Sequence, residues 1–408
     1  MGYRLAQMEL SGPLRPIELS PQDTGLGLIA RYNDRLVGFR MLAAAPGERL
    51  SAERLAGICE AAFAPAIATL RTRDAIEARW RVATGRAPPS LTIAICTKDR
   101  AQRLARLLQS LDAVRRNSGF AALEIVVVDN APSDDSTREA ANRVNGVHYV
   151  REPRAGLNFA RNRALATATG DLLAFLDDDV VVDRHYLDGL LRAWRSCPDA
   201  GGYTGLVLPY RLDTEAQVDF ESRGGFGRGF TPTEFRADRW GNRLHPVGVG
   251  ILGAGCNMCF DRRLLIELGR FDEALDTGRP LPGGGDLDIF YRVMRAGRAM
   301  RYEPAYAVYH EHRETLPQLT HQYWTWGLGF MAFLVKSWRS DPTLRPRQRA
   351  MLWWWAMDRL GAIGRAALKG RWRALGFAWA ELKGGLQGLF GEYDRSRQRV
   401  QRIREQTA

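Results

Sequence analysis

Four short apolar runs, each trailed by a polar or helix-compatible stretch, organise the middle of the chain. LTIAIC (91–96) precedes a helical stretch from Ala101 to Leu111, and LEIVVV (123–128) precedes another. VHYV (147–150) is followed by LNFARNRALATATG, which predicts a helix ending at Gly170, and DLLAFL (171–176) is the fourth run. Strands alternating with helices predict a parallel sheet covered on both faces. Runs apolar at every position, rather than at every second one, agree with burial on both sides. Upstream, GLGLIARYNDRLVGFRMLAAAP reads as two strands around the turn pair Asn33-Asp34, and Ser51 is placed to cap a helix reaching roughly Arg81, kinked by Pro65. Pro88-Pro89 makes a linker. The pattern divides the chain into an accessory α+β unit (1–87), a doubly wound α/β domain (90–315) and a C-terminal helical region (316–408).

The residues just beyond the strands carry the chemistry. Thr97-Lys98-Asp99-Arg100 stands at the end of the first, Asp129-Asn130 at the end of the second and Asp177-Asp178-Asp179 at the end of the fourth. Ligands of open α/β sheets bind outside the carboxyl ends of the strands, so three acidic strand ends share the binding edge. One Asp there would be an ordinary turn or cap residue, whereas a run of three repels itself unless a cation is present. Oxygen ligands of this kind suit Mg²⁺ or Mn²⁺, which complete their shell with substrate phosphate. In an extended segment Asp177 and Asp179 share a side and Asp178 faces away. One or both of the outer residues are therefore expected near the metal and Asp178 on a sugar hydroxyl. No phosphate-binding P-loop and no G-x-G-x-x-G after a strand is present. The glycine clusters at 224–229 and 283–285 read as flexible loops over the site.

Charge and composition change the picture at the C-terminal end. The net charge is +12, of which +9 lies from Arg345 onward, and eight of eleven tryptophans fall between Trp324 and Trp379. Arg/Lys mixed with Trp, Leu and Phe at helical spacing, as in Leu375, Trp379, Leu382, Leu386, Leu389 and Phe390, is the composition of a helix lying on an anionic membrane surface. A helical cap on the main domain is the plainer alternative. No recognition motif accompanies the basic charge, so nucleic acid is not an expected partner. The five cysteines are too few for a disulfide framework, and Cys256-x-x-Cys259 lacks the second half of a metal site. The first residues carry no apolar stretch of signal-peptide length, and no run reaches the length needed to cross a bilayer. The expected location is the cytoplasm, peripheral on the inner face of the plasma membrane.

Five segments in order, LTIAICTKDR, VVVDNAPSDDS, GLNFARNRALATATGDLLAFLDDDV, GAGCNMCFDRRLLIELGRFDE and GGGDLDIFYRVMRAG, resemble the motifs of the family 2 glycosyltransferases, of the bacterial glycan-biosynthesis type. The resemblance covers roughly Ser90 to Arg313. It implies a GT-A-type fold and an inverting, metal-dependent transfer of a hexosyl or deoxyhexosyl group. The donor would be a nucleoside-diphosphate sugar and the acceptor a hydroxyl of a glycan or lipid-linked molecule. By resemblance, Thr97 and Asp99 wall the nucleotide pocket, and Asp129 helps hold the base, with Asn130 where many members have a second Asp. Arg161 and Asn162 flank the donor. Asp177, Asp178 and Asp179 fill the Asp-x-Asp position, with Asp179 the leading ligand of Mn²⁺ or Mg²⁺. Asp286 stands where the catalytic base is found, and Gly285 replaces the Glu that usually precedes it. A histidine after a strand such as AYAVY completes the metal shell in the family, which nominates His310 ahead of His312.

Read by itself, Asp286 also fits a helix cap, and the glycine at 285 together with Asn130 admits a non-catalytic scaffold that keeps the fold. A sugar-phosphate nucleotidyltransferase would need a glycine-rich loop after the first strand, and CTKDRAQR has no glycine. The sequence does not identify the base, the sugar, the acceptor or the oligomeric state.

Overall fold

The computed structural model describes residues 2–79, 86–238 and 244–407. The chain opens with β1 (Gly2–Glu9), β2 (Ile17–Glu18), β3 (Asp23–Tyr32), β4 (Arg35–Ala43), β5 (Arg49–Leu50) and α1 (Ala52–Arg79). β1 pairs in parallel with β3, and β3 antiparallel with β4. At the β3–β4 turn Asn33 and Asp34 have φ of 47° and 65°, the left-handed values a two-residue hairpin needs. The Ser51 hydroxyl accepts the Arg54 N–H at 3.3 Å and so caps α1, with Pro65 inside the helix. Arg81, the expected end of this helix, lies outside the described residues. Leu26, Leu28, Leu55 and Phe63 form a separate core beneath this sheet.

The central layer contains β6 (Leu91–Thr97), α2 (Ala101–Val114), β7 (Leu123–Asn130), α3 (Ser136–Asn142), β8 (Val147–Glu152), α4 (Leu157–Thr167) and β9 (Leu172–Asp177). It continues with β10 (Val180–Val182), α5 (Tyr186–Ser196), β11 (Gly202–Pro209), α6 (Glu215–Ser222), β12 (Thr233–Phe235) and β13 (Asn257–Asp261). α7 (Arg262–Glu267), α8 (Gly285–Arg295) and β14 (Met300–His310) complete it. The strand order is β10-β14-β11-β13-β9-β6-β7-β8, with β12 on β14. β8, β7, β6 and β9 are parallel, as the four runs predict. β13 is antiparallel to both β9 and β11, and two reversals restore the original direction, so β11 and β14 also point the same way as β9. His310, at the end of β14, thereby reaches the same edge as Asp177.

Both faces of the sheet are buried. Ala94, Val126, Val128, Leu173 and Phe175 face one core, and Ile93, Ile95, Val127, Ala174 and Leu176 face the other. Continuous apolar strands are the direct consequence of that arrangement. α4 and α8 cover the first face, α2, α3 and α5 the second.

The chain closes with α9 (Leu316–Ser340), α10 (Arg345–Leu368), α11 (Trp372–Gln387) and α12 (Tyr393–Thr407). α9 and α11 touch almost backbone to backbone: a Cβ at Gly384 would fall 2.0 Å from the Trp324 carbonyl oxygen, and one at Gly327 1.9 Å from that of Glu381. Leu328, Met331, Ala332 and Phe333 of α9 are buried, so the middle of this apolar stretch is protein core. Gly283 and Gly284 are not a free loop, as expected from composition, but pack on α9. A Cβ at Gly284 would lie 2.6 Å from the Gly329 carbonyl oxygen, and its φ is 96°. Among the described residues, no helix is long and apolar enough to cross a membrane.

The N-terminal sheet is joined to the central one by a buried ion pair. Arg31 of β3 meets Asp183, just beyond β10, and donates to the Tyr309 hydroxyl at 2.9 Å. Tyr309 donates in turn to Asp183 at 2.8 Å and accepts from Gln7 at 3.1 Å.

Candidate active site

The three acidic strand ends meet at one edge. Thr97 pairs with Asp129 across β6 and β7, and Cys96 with Asp177 across β6 and β9. The carboxylates of the Asp triplet diverge. Asp178 is buried against β6, where it accepts from the Thr97 hydroxyl at 2.7 Å and from Arg100 at 2.9 Å. Both oxygens are thus engaged by protein, where the sequence suggested a sugar hydroxyl. Asp177 is pushed up to about 7, by burial first and then by the neighbouring Asp179, with Arg161 pulling the other way.

Asp179 faces β14. β10 pairs antiparallel with β14, Val180 opposite His310, so the end of the triplet and the end of the last strand are brought together. Asp179 Oδ1 is buried without a hydrogen-bond partner and stands 3.4 Å from His310 Nε2. Burial, His312 and the nearby Arg313 and Arg103 hold the His310 imidazole well below its ordinary value, which keeps it neutral. His310 Nδ1 lies 3.0 Å from His312 Nδ1, and His312 Nε2 lies 2.7 Å from Glu221 Oε1. His310 Nε2 and the partnerless Asp179 Oδ1 thus face each other, a ring nitrogen and a carboxylate oxygen of the kinds that fit a divalent cation. His312 sits behind His310 rather than beside Asp179. No cluster of three or more such ligands occurs among the described residues.

α8 is capped by Gly284 without a side-chain bond, so Asp286 lies in the first turn and is not the cap. Its Oδ1 accepts the Leu287 N–H at 2.8 Å, and it has no ion pair within 4.0 Å among the described residues. A Cβ at Gly255 would lie 3.1 Å from its carboxylate. The fold closes around Cys256: this buried thiol is driven far up by burial and by Asp177, Asp179 and Asp286 together. All five cysteines are free, and Cys256 and Cys259 are packed core thiols.

The other expected residues divide between the pocket and its scaffold. Asp129 is fully buried, accepts from the Tyr149 hydroxyl at 2.9 Å, and is raised by burial. Asp99 binds the Ser133 N–H and hydroxyl, both at 2.9 Å, joining the loops after β6 and β7. Asn130 spends its amide on the Arg154 carbonyl and the Gly156 N–H. Asn162 likewise brackets the Phe271 backbone with both ends of its amide. Arg161 is buried and reaches Asn158 and Asp276, each at 3.0 Å.

The model of Glycosyl transferase family 2 matches residues 92–239, and that of Glycosyl transferase family group 2 matches residues 172–380, half of the chain. The chain belongs to glycosyl transferase family 2. It is 27% identical over 244 residues to the pre-mycofactocin glycosyltransferase of Mycobacterium tuberculosis, covering 60% of this chain and 47% of that protein. With the succinoglycan biosynthesis protein ExoM of Rhizobium meliloti it shares 30% identity over 222 residues, 52% of this chain and 64% of the relative. The chain thus spans about half the length of the first and under two thirds of the second. A mannosyltransferase from Pyrobaculum calidifontis, PcManGT, solved with GDP-Man and Mn²⁺, shares the fold with a TM-score of 0.53 at 18% identity, covering 74% of this chain and 88% of that one. The GT-A-type α/β architecture expected from the motifs is therefore the one observed.

In this member of the family, Asp276 packs against Gly285, the residue before Asp286. Asp276 Oδ2 accepts the Gly285 N–H at 3.1 Å and lies 2.2 Å from where a Cβ at Gly285 would be. Asp276 is raised to about 6, mainly by burial, with Arg161 opposing and Asp286 adding to the rise. Sequence reasoning missed it because EALDTGRP has no strand or helix to frame it; its left-handed φ of 55° is visible only in the fold. Glu221 and Arg100, which hold His312 and Asp178, were missed for the same kind of reason, since each acts on a residue far away in sequence.

Proposed function

We propose that the chain is a metal-dependent, inverting glycosyltransferase that moves a sugar from a nucleoside-diphosphate donor to a hydroxyl of a glycan or lipid-linked acceptor. The observation that carries this reading is Asp179 Oδ1, buried without a hydrogen-bond partner, facing His310 Nε2 at 3.4 Å at the end of the acidic strand edge. Asp179 and His310 would hold Mn²⁺ or Mg²⁺, with Asp177 beside them. Once bound, such a cation neutralises charge on the departing diphosphate. Asp286 accepts the proton of the acceptor hydroxyl as its oxygen forms the new bond to the anomeric carbon. The carbon–oxygen bond to the diphosphate breaks on the opposite face, which inverts the configuration. Thr97, Asp99 and Asp129 wall the nucleotide side of the pocket. Arg161 and Asp276 hold the approach to Asp286, while Asn130 and Asn162 stiffen the loops around it. The GDP-Man and Mn²⁺ of the Pyrobaculum structure, and the polysaccharide role in ExoM's name, support the donor class, the metal and a place in glycan assembly.

In this reading residues 1–87 are a docked accessory unit, 90–315 the transferase domain and 316–408 a membrane-surface region on the cytoplasmic face. The outward faces of α10 and α11 support the last part. Trp353, Trp354, Met357, Leu360 and Leu368 project from one side of α10, and Trp372, Trp379, Leu386 and Phe390 from α11 and its extension. α11 packs Phe377, Ala378, Gly384 and Gly385 inward and still leaves Trp372, Trp379 and Leu386 exposed, more apolar surface than a helix packed only as a cap presents.

Calorimetry of GDP, UDP, dTDP and CDP with and without Mn²⁺ tests the reading without an acceptor. One nucleotide is expected to bind only with metal, about tenfold or more weaker in Asp179→Ala, and nearly unchanged in Asp286→Asn. Folded protein that binds none of the four with metal would overturn it.

A further inference from the structure

Between α9, α10, α11 and the end of α6 lies a cleft of about 360 Å³. Its charged lining is Arg223, Arg359, Arg365, Lys369, Arg371 and Glu381. Arg359 is neutralised by Glu381 and Asp358, and Arg223 has Asp219 at 3.5 Å. Arg365, Lys369 and Arg371 have no carboxylate within 4.0 Å among the described residues. Three unpaired cations around one recess repel one another, and an anion entering it removes that repulsion. Arginine forks and an ammonium match phosphate oxygens in particular.

Exposed apolar side chains adjoin the lining residues in the chain. The turn from α10 to α11 that carries Lys369 and Arg371 also carries Leu368 and Trp372, 90% and 73% exposed. A water-soluble phosphate has no use for exposed Leu and Trp beside its site, whereas a phosphate with a hydrocarbon tail does. From the cleft a line of rings leads to the metal-capable pair. Phe377, in the lining, stacks on Tyr323 at 5.0 Å. Tyr323 meets Trp326 at 5.3 Å, Trp326 meets Phe226 at 5.8 Å, and Phe226 meets His310 at 5.0 Å.

We propose that this cleft binds the phosphate of a lipid-linked acceptor, with Arg365, Lys369 and Arg371 as the anion contacts and the ring line leading its sugar end toward the donor. The proposal rests on the transferase reading for the word acceptor. The cleft itself, and its preference for a lipid phosphate, do not.

The test uses the full chain with phosphatidylcholine vesicles carrying either a polyprenyl phosphate or the matching polyprenol, read by co-sedimentation. Lys369 and Arg371 are exposed and unpaired, so Lys369→Glu/Arg371→Glu leaves packing in place, and an unchanged unfolding midpoint checks this. The wild type is expected to bind the phosphate vesicles about tenfold or more tightly than the polyprenol ones, the double variant to lose that preference. Equal binding to phosphate and polyprenol, or a variant that keeps the preference, overturns the proposal. So does equally strong binding to phosphatidylglycerol vesicles, which would make the cleft a general headgroup site. Nucleotide calorimetry on the same samples separates the two readings: its failure strikes the transferase, and a lost lipid preference strikes the cleft.

Discussion

Asp276 occupies the space that a side chain at residue 285 would fill, its Oδ2 lying 2.2 Å from the Cβ position and accepting the Gly285 N–H. The glycine and the aspartate are therefore one feature, a carboxylate supplied to the Asp286 helix from the preceding loop. Gly285→Ala is expected to lose about 1–3 kcal/mol of stability through overpacking and to lower turnover. The double variant Asp276→Gly/Gly285→Glu should recover part of both. Urea unfolding alongside turnover decides this, and a fully stable, active Gly285→Ala would refute the coupling.

In the proposed reading, the His310–His312–Glu221 chain orients His310 toward the metal. His312→Ala or Glu221→Ala is expected to weaken Mn²⁺ binding, in the presence of nucleotide, by about 10- to 100-fold, and His310→Ala more. Titration calorimetry with Mn²⁺ measures it. Unchanged affinity in the Glu221 variant would remove the relay from the site.

Arg31 and Asp183 form a buried pair between the two sheets. Arg31→Ala leaves the Asp183 charge buried alone and is expected to cost about 3–5 kcal/mol, whereas Arg31→Met with Asp183→Leu should cost much less. Because Tyr309 in the same network precedes His310, Arg31→Ala should also weaken Mn²⁺ binding. Chemical unfolding of the three proteins and metal titration provide the comparison.

Asp341, at the end of α9, accepts from Tyr291 at 2.7 Å, Arg295 at 2.6 Å and Thr343 at 2.5 Å. Burial alone would raise it, but the Thr343, Tyr291 and Arg295 bonds prevail and hold it at about 2. A depressed carboxyl contributes stability above its unfolded value, near 4, and loses it as the pH falls toward 2. Allowing for solvent screening, Asp341→Asn should cost about 1 kcal/mol at pH 7, with the difference from wild type vanishing at the acid end. A gap independent of pH would exclude this origin.

The four parallel strands were legible because each is buried on both faces and so reads as an unbroken apolar run. Their acidic ends were legible because a strand's direction fixes which edge its last residue reaches. β13 and β14 carried no such label: FDRRLL and MRYEPAYAVYH do not show that the chain reverses twice, and that reversal is what delivers His310 to Asp179. The choice between His310 and His312 had the same character. His310 closes β14 and stands 3.4 Å from Asp179, whereas His312 lies beyond the strand and is held by Glu221 of another helix.

By itself, then, the sequence determined the layered α/β core, the carboxylate edge and the family, since each rests on local periodicity or on residues close together in the chain. The tertiary structure decided which oxygen of the Asp triplet is buried without a partner, which histidine stands against it, and that Asp276 fills the space beside Gly285. It also put Gly384 of α11 where α9 comes closest, because a Cβ there would fall on the Trp324 carbonyl oxygen, and left Trp372, Trp379 and Leu386 exposed. These are contacts between segments far apart in sequence, and their geometry exists only once both faces of the sheet have been packed.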